Sequence, residues 1–315
     1  MADPLQSYRA KRVEGATPEP EGAPPGAEDG AGAPRFVIHE HHASHLHWDL
    51  RLERKGVLAS WALPKGVPSH PDENRLAVHT EDHPLDYLDF EGEIPKGSYG
   101  GGTMHVWDRG TYECDKFRAN EVIVVLHGER VSGRYALFQT RGKNWMIHRM
   151  DPPADSERVL MPDNLRPMLP KRGRMPRKAD EFGFEIAWGG LRTMLWSEPG
   201  HIRKAEARGL EDPGMRFPEV RRIARVLGST EAVLDGEIVV LDGDGQPDAS
   251  SLRDRKRASS DSVARRLARQ KPATLMLFDL LFVDGRPLLD LPYEERRREL
   301  EALDLNGYAL SLIHI

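Results

Sequence analysis

The chain has 315 residues, of which 39% are hydrophobic and 30% are charged. This length allows two domains of ordinary size, and the composition is typical of a soluble globular protein. No run of about 18 consecutive apolar residues is present, and Met1 to Arg12 contain no apolar segment that could serve as a secretory signal. We therefore expect a cytoplasmic protein with no membrane partner.

Cysteine content and charge limit the metal chemistry and the partners. Cys114 is the only cysteine, which excludes an intrachain disulfide and a cysteine zinc cage, so histidines and carboxylates must bind any metal. The formal net charge of −5 argues against nucleic-acid binding as a property of the whole chain, because Lys and Arg neutralise phosphates in such complexes. Residues 253–271 are nevertheless strongly basic, and a locally positive groove is compatible with this pattern.

The first 34 residues are predicted to form a flexible N-terminal arm, because Pro, Gly, Ala and Glu dominate from Glu14 to Pro34. From residue 35 to residue 152, short β-rich runs alternate with turn residues and no helical pattern intervenes. The predicted strands are 47–53, 58–63, 75–81, 103–107, 122–127, 134–140 and 145–149. This succession predicts an all-β domain, either a barrel or a sandwich.

The character of the sequence changes after residue 152. Residues 153–175 are rich in Pro, Arg and Asp and predict an interdomain linker, followed by a second, α+β domain at 176–308 and an atypical tail at 309–315. The elements expected in the second domain are a helical face formed by Val220, Ile223, Val226 and Leu227, buried strands at 233–241 and 274–283, and a charged amphipathic helix at 294–303.

The histidine-rich run before Glu53 carries the strongest chemical signal. Side chains two apart on a strand share a face, so His47, Asp49 and Arg51 point to one side while the intervening Trp and Leu residues face an apolar side. His41, just before this strand, can complete a set of three ligands. Imidazole and carboxylate without thiolate suit Mn²⁺, Fe²⁺ or Zn²⁺.

An arginine beside these ligands indicates a phosphate ester, because a structural metal needs no cation nearby whereas a metal-bound phosphate does. Arg51 supplies that cation, and Arg75 and Tyr87 are candidates to complete an anion pocket. Two ordinary interpretations stay open, Arg75 as a surface ion-pair partner and Tyr87 as a core aromatic. The glycines from Gly97 to Gly102 match no phosphate-binding loop and predict a tight turn. For three histidines an ordinary surface or core role is favoured: His42, His45 and His79.

Five blocks occur in order in this region: a His-x5-His-x-Asp-x-Arg-Leu-Glu pattern within Phe36 to Glu53, Ser60 to Gly66, Glu81 to Tyr87, Phe90 to Gly92 and Val106 to Gly110. Residues 5–151 thereby resemble the 3′-phosphoesterase domain of bacterial DNA ligase D. The resemblance implies a β-barrel with a crescent groove that removes a 3′-terminal ribonucleoside, and then the 3′-phosphate, from DNA in non-homologous end joining. It implies DNA 3′ ends or primer-templates as partners, with Ku and a repair polymerase or ligase as further candidates, and a nucleoid-associated location.

The resemblance also implies roles for individual residues. Mn²⁺ would be held by His41, His47 and Asp49. The catalytic residues implied are Arg51, His83, Arg75 and Tyr87 at the phosphate, with Arg12 and Glu19 from the N-terminal arm. Three positions depart from the family: Val13 stands where an acidic residue is usual, His39 where glutamine is usual and His45 where arginine is usual. The ligands are kept while supporting contacts differ, which concerns the ribonuclease step more than the metal site.

Three further blocks, Phe184 to Arg192, Leu234 to Val239 and Phe278 to Gly285, are similar to the adenylation domain of ATP-dependent DNA ligases. The first motif of that family reads Lys-x-Asp-Gly-x-Arg, and its lysine takes AMP from ATP. Here Ala187 occupies the lysine position and Gly189 the aspartate position. An alanine has no amine, so covalent adenylation at this position is excluded and ATP is not expected as a cofactor. Three remnants of the family pattern can bind nucleotide or form structural ion pairs: Glu185, Arg192 and Glu237.

The resulting prediction is a Mn²⁺-dependent 3′ end-healing phosphoesterase joined to a degenerate, incomplete ligase-like domain. Two alternatives stay open: a fragment of an ATP-dependent DNA ligase, which Ala187 opposes, and a DNA-end scaffold that binds metal without turnover. The sequence stops before the later ligase motifs, and its last residues do not continue the family pattern, so a truncated reading frame is a further hypothesis.

Overall fold

The chain divides into two units, Met1–Ser156 and Glu157–Ile315. The structure, a computed structural model, describes residues 3–12, 15, 17–22, 32–152, 158–169, 171–178, 182–210 and 212–305, together with the backbone of 310–312. Within those residues, no helix combines the length and the apolar character needed to cross a membrane.

Antiparallel strands form the first unit, and eight of the nine in its described residues close into a barrel. The strands are β1 Arg35–His42, β2 Leu46–Arg54, β3 Val57–Leu63, β4 Asn74–His79, β5 Gly92–Ile94, β6 Gly102–Arg118, β7 Glu121–Gly128, β8 Ser132–Arg141 and β9 Asn144–Arg149. They are ordered β1-β2-β3-β4-β9-β8-β7-β6, and pairing of β6 with β1 closes the ring while β5 extends from β6. The predicted all-β barrel is confirmed.

The two faces of β2 have the different characters that its alternating sequence predicts. Trp48, Leu50 and Leu52 point into the barrel and are at most 1% exposed. They pack there against apolar side chains from the other strands, among them Phe36, Trp61, Leu126, Leu137 and Ile147. The alternate residues of β2 therefore lie on the outer face of the barrel.

The sequence analysis did not predict β1, β5 or the part of β6 after residue 107. In β1 the polar residues from His39 to His42 mask an alternation in which Phe36 and Ile38 face the barrel core. In β6 the strand continues through Asp108, whose carboxylate accepts hydrogen bonds from the backbone of Glu129 at 3.0 Å and Val131 at 2.7 Å. Tertiary hydrogen bonds thus hold a strand where local composition indicates a turn.

The N-terminal arm packs on the barrel over residues 3–12 and 17–22, which corrects the expectation that it is flexible. Helix α1, Gln6–Arg9, places Leu5 and Tyr8, 5% and 2% exposed, against Val37 of β1 and Leu58 of β3. The outer face of β1–β3 is apolar at these positions, and covering it removes apolar surface from water. Val13 and residues 23–31 lie outside the described residues.

The second unit contains a mainly antiparallel sheet with helices against it. Its strands are β10 Leu191–Glu198, β11 His201–Ala207, β12 Ala232–Val240, β13 Ala273–Val283, β14 Arg286–Pro287 and β15 Leu310–Leu312, in the order β11-β10-β12-β13-β14 with β15 parallel to β13. Its helices are α2 Pro213–Arg216, α3 Ile223–Leu227, α4 Ala249–Lys256, α5 Asp261–Gln270 and α6 Tyr293–Ala302. The α+β prediction is confirmed.

Two details of the second unit differ from the sequence-based expectation. Val226 is 49% exposed and does not share the buried face of Val220 and Ile223, because a 3₁₀ turn precedes α3 and changes the angular spacing of the side chains. Part of the expected linker packs on this unit: Trp196 donates through Nε1 to the carbonyl of Pro162 at 2.8 Å, and Met161 packs nearby. We therefore propose that the second domain begins before residue 176.

Replacing Leu137 with alanine is expected to lower the free energy of unfolding of the barrel by about 2–5 kcal/mol, because its side chain is fully buried and its loss leaves a cavity. Denaturant unfolding followed by tryptophan fluorescence measures the change. The neighbouring Phe138→Ala is the matched control, since Phe138 is 39% exposed and should cost far less. Equal losses in the two variants would contradict the inward orientation of Leu137.

Candidate metal centre and phosphate pocket

Two histidines and an aspartate meet on the outer face of the barrel. Antiparallel pairing places His41 of β1 directly opposite His47 of β2, and Asp49 lies two residues farther along the same face. Oxygens of the Asp49 carboxylate lie 3.6 Å from Nδ1 of His41 and 3.8 Å from Nε2 of His47. One potential ligand atom from each residue lies within 4.8 Å of the others. His41 thus belongs to a strand of its own, not to the segment leading into β2.

The hydrogen bonds of the two imidazoles suit a divalent metal. Both ring nitrogens of His41 are buried and have no hydrogen-bond partner among the described residues. His47 donates from Nδ1 to the carbonyl of His45 at 3.0 Å, which leaves the Nε2 lone pair available near Asp49. Imidazole nitrogens with a carboxylate oxygen form a donor set that fits Mn²⁺, Fe²⁺ or Zn²⁺.

A buried guanidinium adjoins these groups. Arg51, 3% exposed, donates to an oxygen of Asp49 and to the hydroxyl of Ser60, each at 3.1 Å, and its Nε is buried without a partner in the described structure. Burial raises the pKa of the Asp49 carboxyl, but Arg51 and the two histidines outweigh this effect and hold that pKa well below its usual range. The aspartate is therefore ionised at neutral pH.

His83 and Tyr87 form the wall beside Arg51. The Tyr87 ring centroid lies 4.8 Å from the Arg51 guanidinium carbon and 4.9 Å from the centroid of the His83 ring. His83 donates from Nδ1 to the carbonyl of Glu81 at 2.8 Å. Burial, and then the charge of Arg51, hold the pKa of His83 well below its usual value, so the ring is neutral and its Nε2 is unprotonated.

The N-terminal arm supplies two further polar residues to this wall. Glu19 is buried and accepts hydrogen bonds from the Tyr87 hydroxyl at 2.5 Å and from Nε of Arg12 at 2.8 Å. The Tyr8 hydroxyl donates to the carbonyl of Pro20 at 2.6 Å, which fixes the returning part of the arm. The structure thus brings Arg12 and Glu19 to the same region as the metal cluster.

These groups share one open cavity of about 680 Å³. The lining residues include Arg12, Glu19, His41, His47, Asp49, Arg51, Glu81, His83, Tyr87, Lys96, Ser98 and Tyr99. Five residues predicted to act at a phosphate therefore border the same space as the three predicted metal ligands.

The glycine-rich turn at 96–102 also lines the cavity, a role that its sequence alone did not indicate. A side chain at Gly102, where φ is +154°, would place Cβ 2.5 Å from the carbonyl oxygen of His42, so glycine allows the turn to approach the β1–β2 hairpin. The turn presents Tyr99, which is 48% exposed and whose hydroxyl accepts a hydrogen bond from Lys11 at 2.9 Å. The Pro-Lys-Gly-Ser-Tyr sequence was the available signal, but it matches no phosphate-loop spacing.

The residues that line the cavity in the described structure do not include Arg75, which corrects the placement expected for it. Ala77, two residues on, lies in the barrel core, so β4 turns Arg75 toward the inner face. Its guanidinium donates to the carbonyls of Lys65 at 2.6 Å and Val67 at 3.2 Å and to the carboxylate of Glu73 at 3.0 Å. These partners fit the ion-pair interpretation of Arg75.

His39, the unusual residue beside the cluster, is a neutral buried imidazole. It lies opposite Asp49 in the β1–β2 pairing and is fully buried. Burial, and then the charge of Arg51, lower the pKa of His39 to about 3. Its Nε2 donates to the carbonyl of Phe90 at 3.1 Å, a contact that a side-chain amide is also able to make.

Arg192 in the second unit has partners within the sheet. It donates to both carboxylate oxygens of Asp235, at 2.6 and 2.7 Å, and its guanidinium carbon lies 4.4 Å from the centroid of the Phe278 ring. A bidentate pair of this kind fixes the orientation of the guanidinium. The contacts favour a structural ion pair over a free nucleotide-binding group.

Two acidic remnants of the ligase-like pattern also have partners. Glu185 accepts a hydrogen bond from the hydroxyl of Tyr293 at 2.6 Å, and Glu237 accepts one from the backbone of Gly190 at 3.1 Å. Ala187 follows Glu185 by two residues, and its methyl side chain offers no nucleophile.

Comparison with known proteins matches each unit to a family. The family described as DNA Ligase D 3′-phosphoesterase domain matches residues 39–139, and the family described as ATP dependent DNA ligase domain matches residues 167–305.

The chain is also similar to longer bacterial proteins. It is 43% identical over 319 residues to the multifunctional non-homologous end joining protein LigD of Mycolicibacterium smegmatis, covering 98% of this chain and 39% of that protein. It is 35% identical over 350 residues to the LigD protein of Pseudomonas aeruginosa, covering 95% of this chain and 40% of that protein. The chain thus spans about two fifths of the length of these relatives.

Among solved structures, a mycobacterial DNA ligase D complexed with ATP and MES matches with 30% identity and a TM-score of 0.34, over 41% of this chain and 39% of that chain. Residues 39–139 are similar to the DNA ligase D 3′-phosphoesterase domain, and residues 167–305 are similar to the ATP-dependent DNA ligase domain.

Proposed function

We propose that the first unit is a Mn²⁺-dependent phosphoesterase that heals DNA 3′ ends in double-strand break repair by non-homologous end joining. The observation that carries this proposal is the buried Arg51 guanidinium bonded to Asp49, with His41 and His47 completing a possible metal site in the same cavity. The similarity of residues 39–139 to the phosphoesterase domain family supports it.

The proposed site would bind a terminal phosphate between the metal ligands and the arginines. His41, His47 and Asp49 would hold Mn²⁺, which when bound supplies Lewis-acid polarisation of a phosphoryl oxygen. Arg51 neutralises charge that develops on the phosphoryl group, and its burial strengthens that interaction because the surroundings have a low dielectric constant. Arg12 adds a second guanidinium, held in orientation by Glu19.

The reaction in this proposal is hydrolysis of a phosphate ester. A water oxygen bonds to phosphorus, the bond from phosphorus to the 3′ oxygen breaks, and the 3′ oxygen gains a proton, which yields a 3′-hydroxyl and inorganic phosphate. Neutral His83 offers an acceptor nitrogen, so it must first take up a proton to donate to a phosphate oxygen, and a bound phosphate dianion favours that uptake. Tyr87 packs beside Arg51 and positions it.

The proposed substrates are DNA ends carrying a 3′-phosphate or a 3′-terminal ribonucleoside, presented as a primer-template. Ku and a repair polymerase or ligase are proposed partners, and a nucleoid-associated cytoplasmic location follows from these substrates. Domain boundaries near residues 34, 152, 175 and 308 remain proposals, and the packing of Met161 supports an earlier start for the second domain.

The alternative function is that of a non-catalytic scaffold that binds DNA ends. Such a protein would keep the metal and bind DNA in a salt-dependent way without forming product. Product formation therefore separates the two functions.

The first prediction of this proposal concerns the metal alone. His47→Ala should abolish tight Mn²⁺ binding, because it removes one of three donor atoms. Titration followed by electron paramagnetic resonance of free Mn²⁺ measures the affinity. His127→Ala, which alters an exposed histidine on β7, is the control and should retain wild-type affinity. An unchanged affinity in His47→Ala would remove the proposed metal site.

The second prediction concerns turnover. Incubation with a primer-template bearing a 3′-phosphate should give a 3′-hydroxyl with Mn²⁺ and none with chelator, and Asp49→Ala should reduce the rate to background. Arg51→Lys should lower kcat by about 10²–10³-fold, since a lysine cannot reproduce the paired contacts of the buried guanidinium.

Arg109→Lys is the matched control for this assay, because Arg109 is exposed and pairs with Asp89 at 3.2 Å away from the cavity. The assay should test Mn²⁺, Mg²⁺ and Zn²⁺ separately. A folded protein that binds the primer-template but forms no product with any of these metals would favour the scaffold function.

The third prediction concerns the ligase alternative. We propose that the second unit does not form a covalent adenylate, because Ala187 occupies the position of the nucleophilic lysine. Incubation with α-labelled ATP and a divalent metal, followed by denaturing gel electrophoresis, should leave the chain unlabelled. An Ala187→Lys variant in the same experiment tests whether the other residues of the ligase-like unit can support adenylation of a lysine at that position. A labelled wild-type chain would instead favour the ligase function.

A further inference from the structure

The glycine-rich turn at 96–102 presents an exposed aromatic ring to the cavity that contains the possible metal site. Two tyrosines line this cavity in the described structure, Tyr87 and Tyr99. Tyr87 is 1% exposed and belongs to the wall, whereas Tyr99 is 48% exposed. The Tyr99 ring is therefore open to a ligand in the cavity, and none of the proposed catalytic steps uses it.

The cavity is larger than a phosphate group requires. Its volume of about 680 Å³ lies within the range of about 300–1,000 Å³ that is usual for pockets holding a drug-sized ligand. A phosphate beside Arg51 leaves much of this volume for the nucleoside to which the phosphate is attached. That nucleoside must contact lining residues other than those proposed to bind the phosphate.

Tyr99 lies next to one of the arginines that we assign to the phosphate. The guanidinium carbon of Arg12 is 5.3 Å from the centroid of the Tyr99 ring. Nε of Arg12 donates to Glu19 at 2.8 Å, and Glu19 also accepts a hydrogen bond from the Tyr87 hydroxyl at 2.5 Å. A base joined through its sugar to a phosphate at Arg12 would therefore lie beside the Tyr99 ring.

The Tyr99 side chain is held in place at its hydroxyl and through its backbone. The hydroxyl accepts a hydrogen bond from Nζ of Lys11 at 2.9 Å, and Lys11 pairs with the carboxylate of Glu81 at 2.6 Å. In the turn, the amide of Gly101 donates to the carbonyl of Ser98 at 3.1 Å. A ring that is fixed before binding loses little conformational entropy when a ligand stacks on it.

We propose that Tyr99 stacks on the 3′-terminal base of the DNA end and thereby selects nucleotide substrates over phosphate esters that lack a base. This role rests on the phosphoesterase function proposed above, since Tyr99 would recognise the nucleoside that carries the phosphate. Stacking suits an enzyme that acts on ends of any sequence, because every base has a π-face that an aromatic ring can cover.

The other role open to Tyr99 is to pin the N-terminal arm through the hydrogen bond from Lys11. Two substitutions separate the roles, because Tyr99→Phe removes the hydroxyl and keeps the ring, whereas Tyr99→Ala removes both. Stacking requires that the phenylalanine variant behave as the wild type and that the alanine variant be defective. Pinning of the arm requires that both variants be defective.

Binding is tested with the full chain, Mn²⁺ and a primer-template whose 3′ end carries a methylenephosphonate, which cannot be hydrolysed at the bridging position. The terminal base is the fluorescent analogue 2-aminopurine, whose emission falls when an aromatic ring stacks on it. At saturating protein, the wild type and Tyr99→Phe should quench this emission and Tyr99→Ala should not. Absence of quenching in the wild type, or its retention in Tyr99→Ala, would overturn the proposal.

Phe138→Ala is the matched control for the binding experiment. Phe138 is an exposed aromatic residue of the same barrel, 39% exposed, and it is not among the residues that line the cavity. This variant should quench the terminal base as the wild type does. Circular dichroism establishes that each variant is folded.

Turnover supplies a second measurement, which compares two 3′-phosphorylated primer-templates that differ only in whether the terminal sugar carries a base. The ratio of kcat/KM for the base-bearing end to that for the abasic end should fall about 10–100-fold in Tyr99→Ala, the usual cost of removing one base–aromatic stack. The ratio should keep its wild-type value in Phe138→Ala. An equal loss on both ends in Tyr99→Ala would indicate a structural role and overturn the proposal.

Failure of this proposal is distinguishable from failure of the proposed phosphoesterase. A wild type that forms no product with any metal but quenches the terminal base through Tyr99 would refute hydrolysis and retain recognition of the base. A wild type that releases phosphate equally well from the base-bearing and the abasic end would retain hydrolysis and refute the role of Tyr99.

Discussion

The pairing register of β1 and β2 is the constraint on which the proposed site depends. It sets His41 opposite His47 and His39 opposite Asp49. The ligand from β1 therefore reaches the two ligands from β2 only when the strands pair in this register. A slip of one residue would turn the histidines into the barrel and Phe36 or Ile38 outward, at the cost of apolar burial. The packing of the core and the position of the donor atoms are therefore fixed by the same interaction. Loops are not required to bring the three side chains together.

The N-terminal arm and the turn around Tyr87 cover part of the outer face of the barrel and lower the polarity there. The arm residues Leu5 and Tyr8 and the turn around Tyr87 pack over β1–β3, which leaves Arg51 only 3% exposed although it lies outside the barrel core. Removal of water strengthens the attraction between this guanidinium and Asp49, and it would equally strengthen attraction for a phosphate. The same cover carries Arg12 and Glu19, so folding of the arm and completion of the proposed phosphate pocket are coupled.

The sequence revealed those parts of this arrangement that depend on local alternation. In β2 the period of two separates His47, Asp49 and Arg51 from the buried Trp and Leu residues, and the structure has the same division. Local patterns did not reveal β1, because its outer positions are histidines and its neighbours across the barrel decide its conformation. Local patterns also did not predict the direction of the Arg75 side chain, because it depends on which face of β4 enters the core. Burial of the arm was also hidden, since it arises from a partner surface far away in the sequence.

The sheet of the second unit is held by interactions that do not involve residue 187. Strands β10, β12 and β13 are held by backbone pairing and by apolar side chains such as Leu195, Leu234 and Leu280, none of which depends on residue 187. Charged residues of the former nucleotide pattern can remain as internal pairs, as Arg192 does with Asp235. The fold of this unit is therefore independent of whether residue 187 carries a nucleophile.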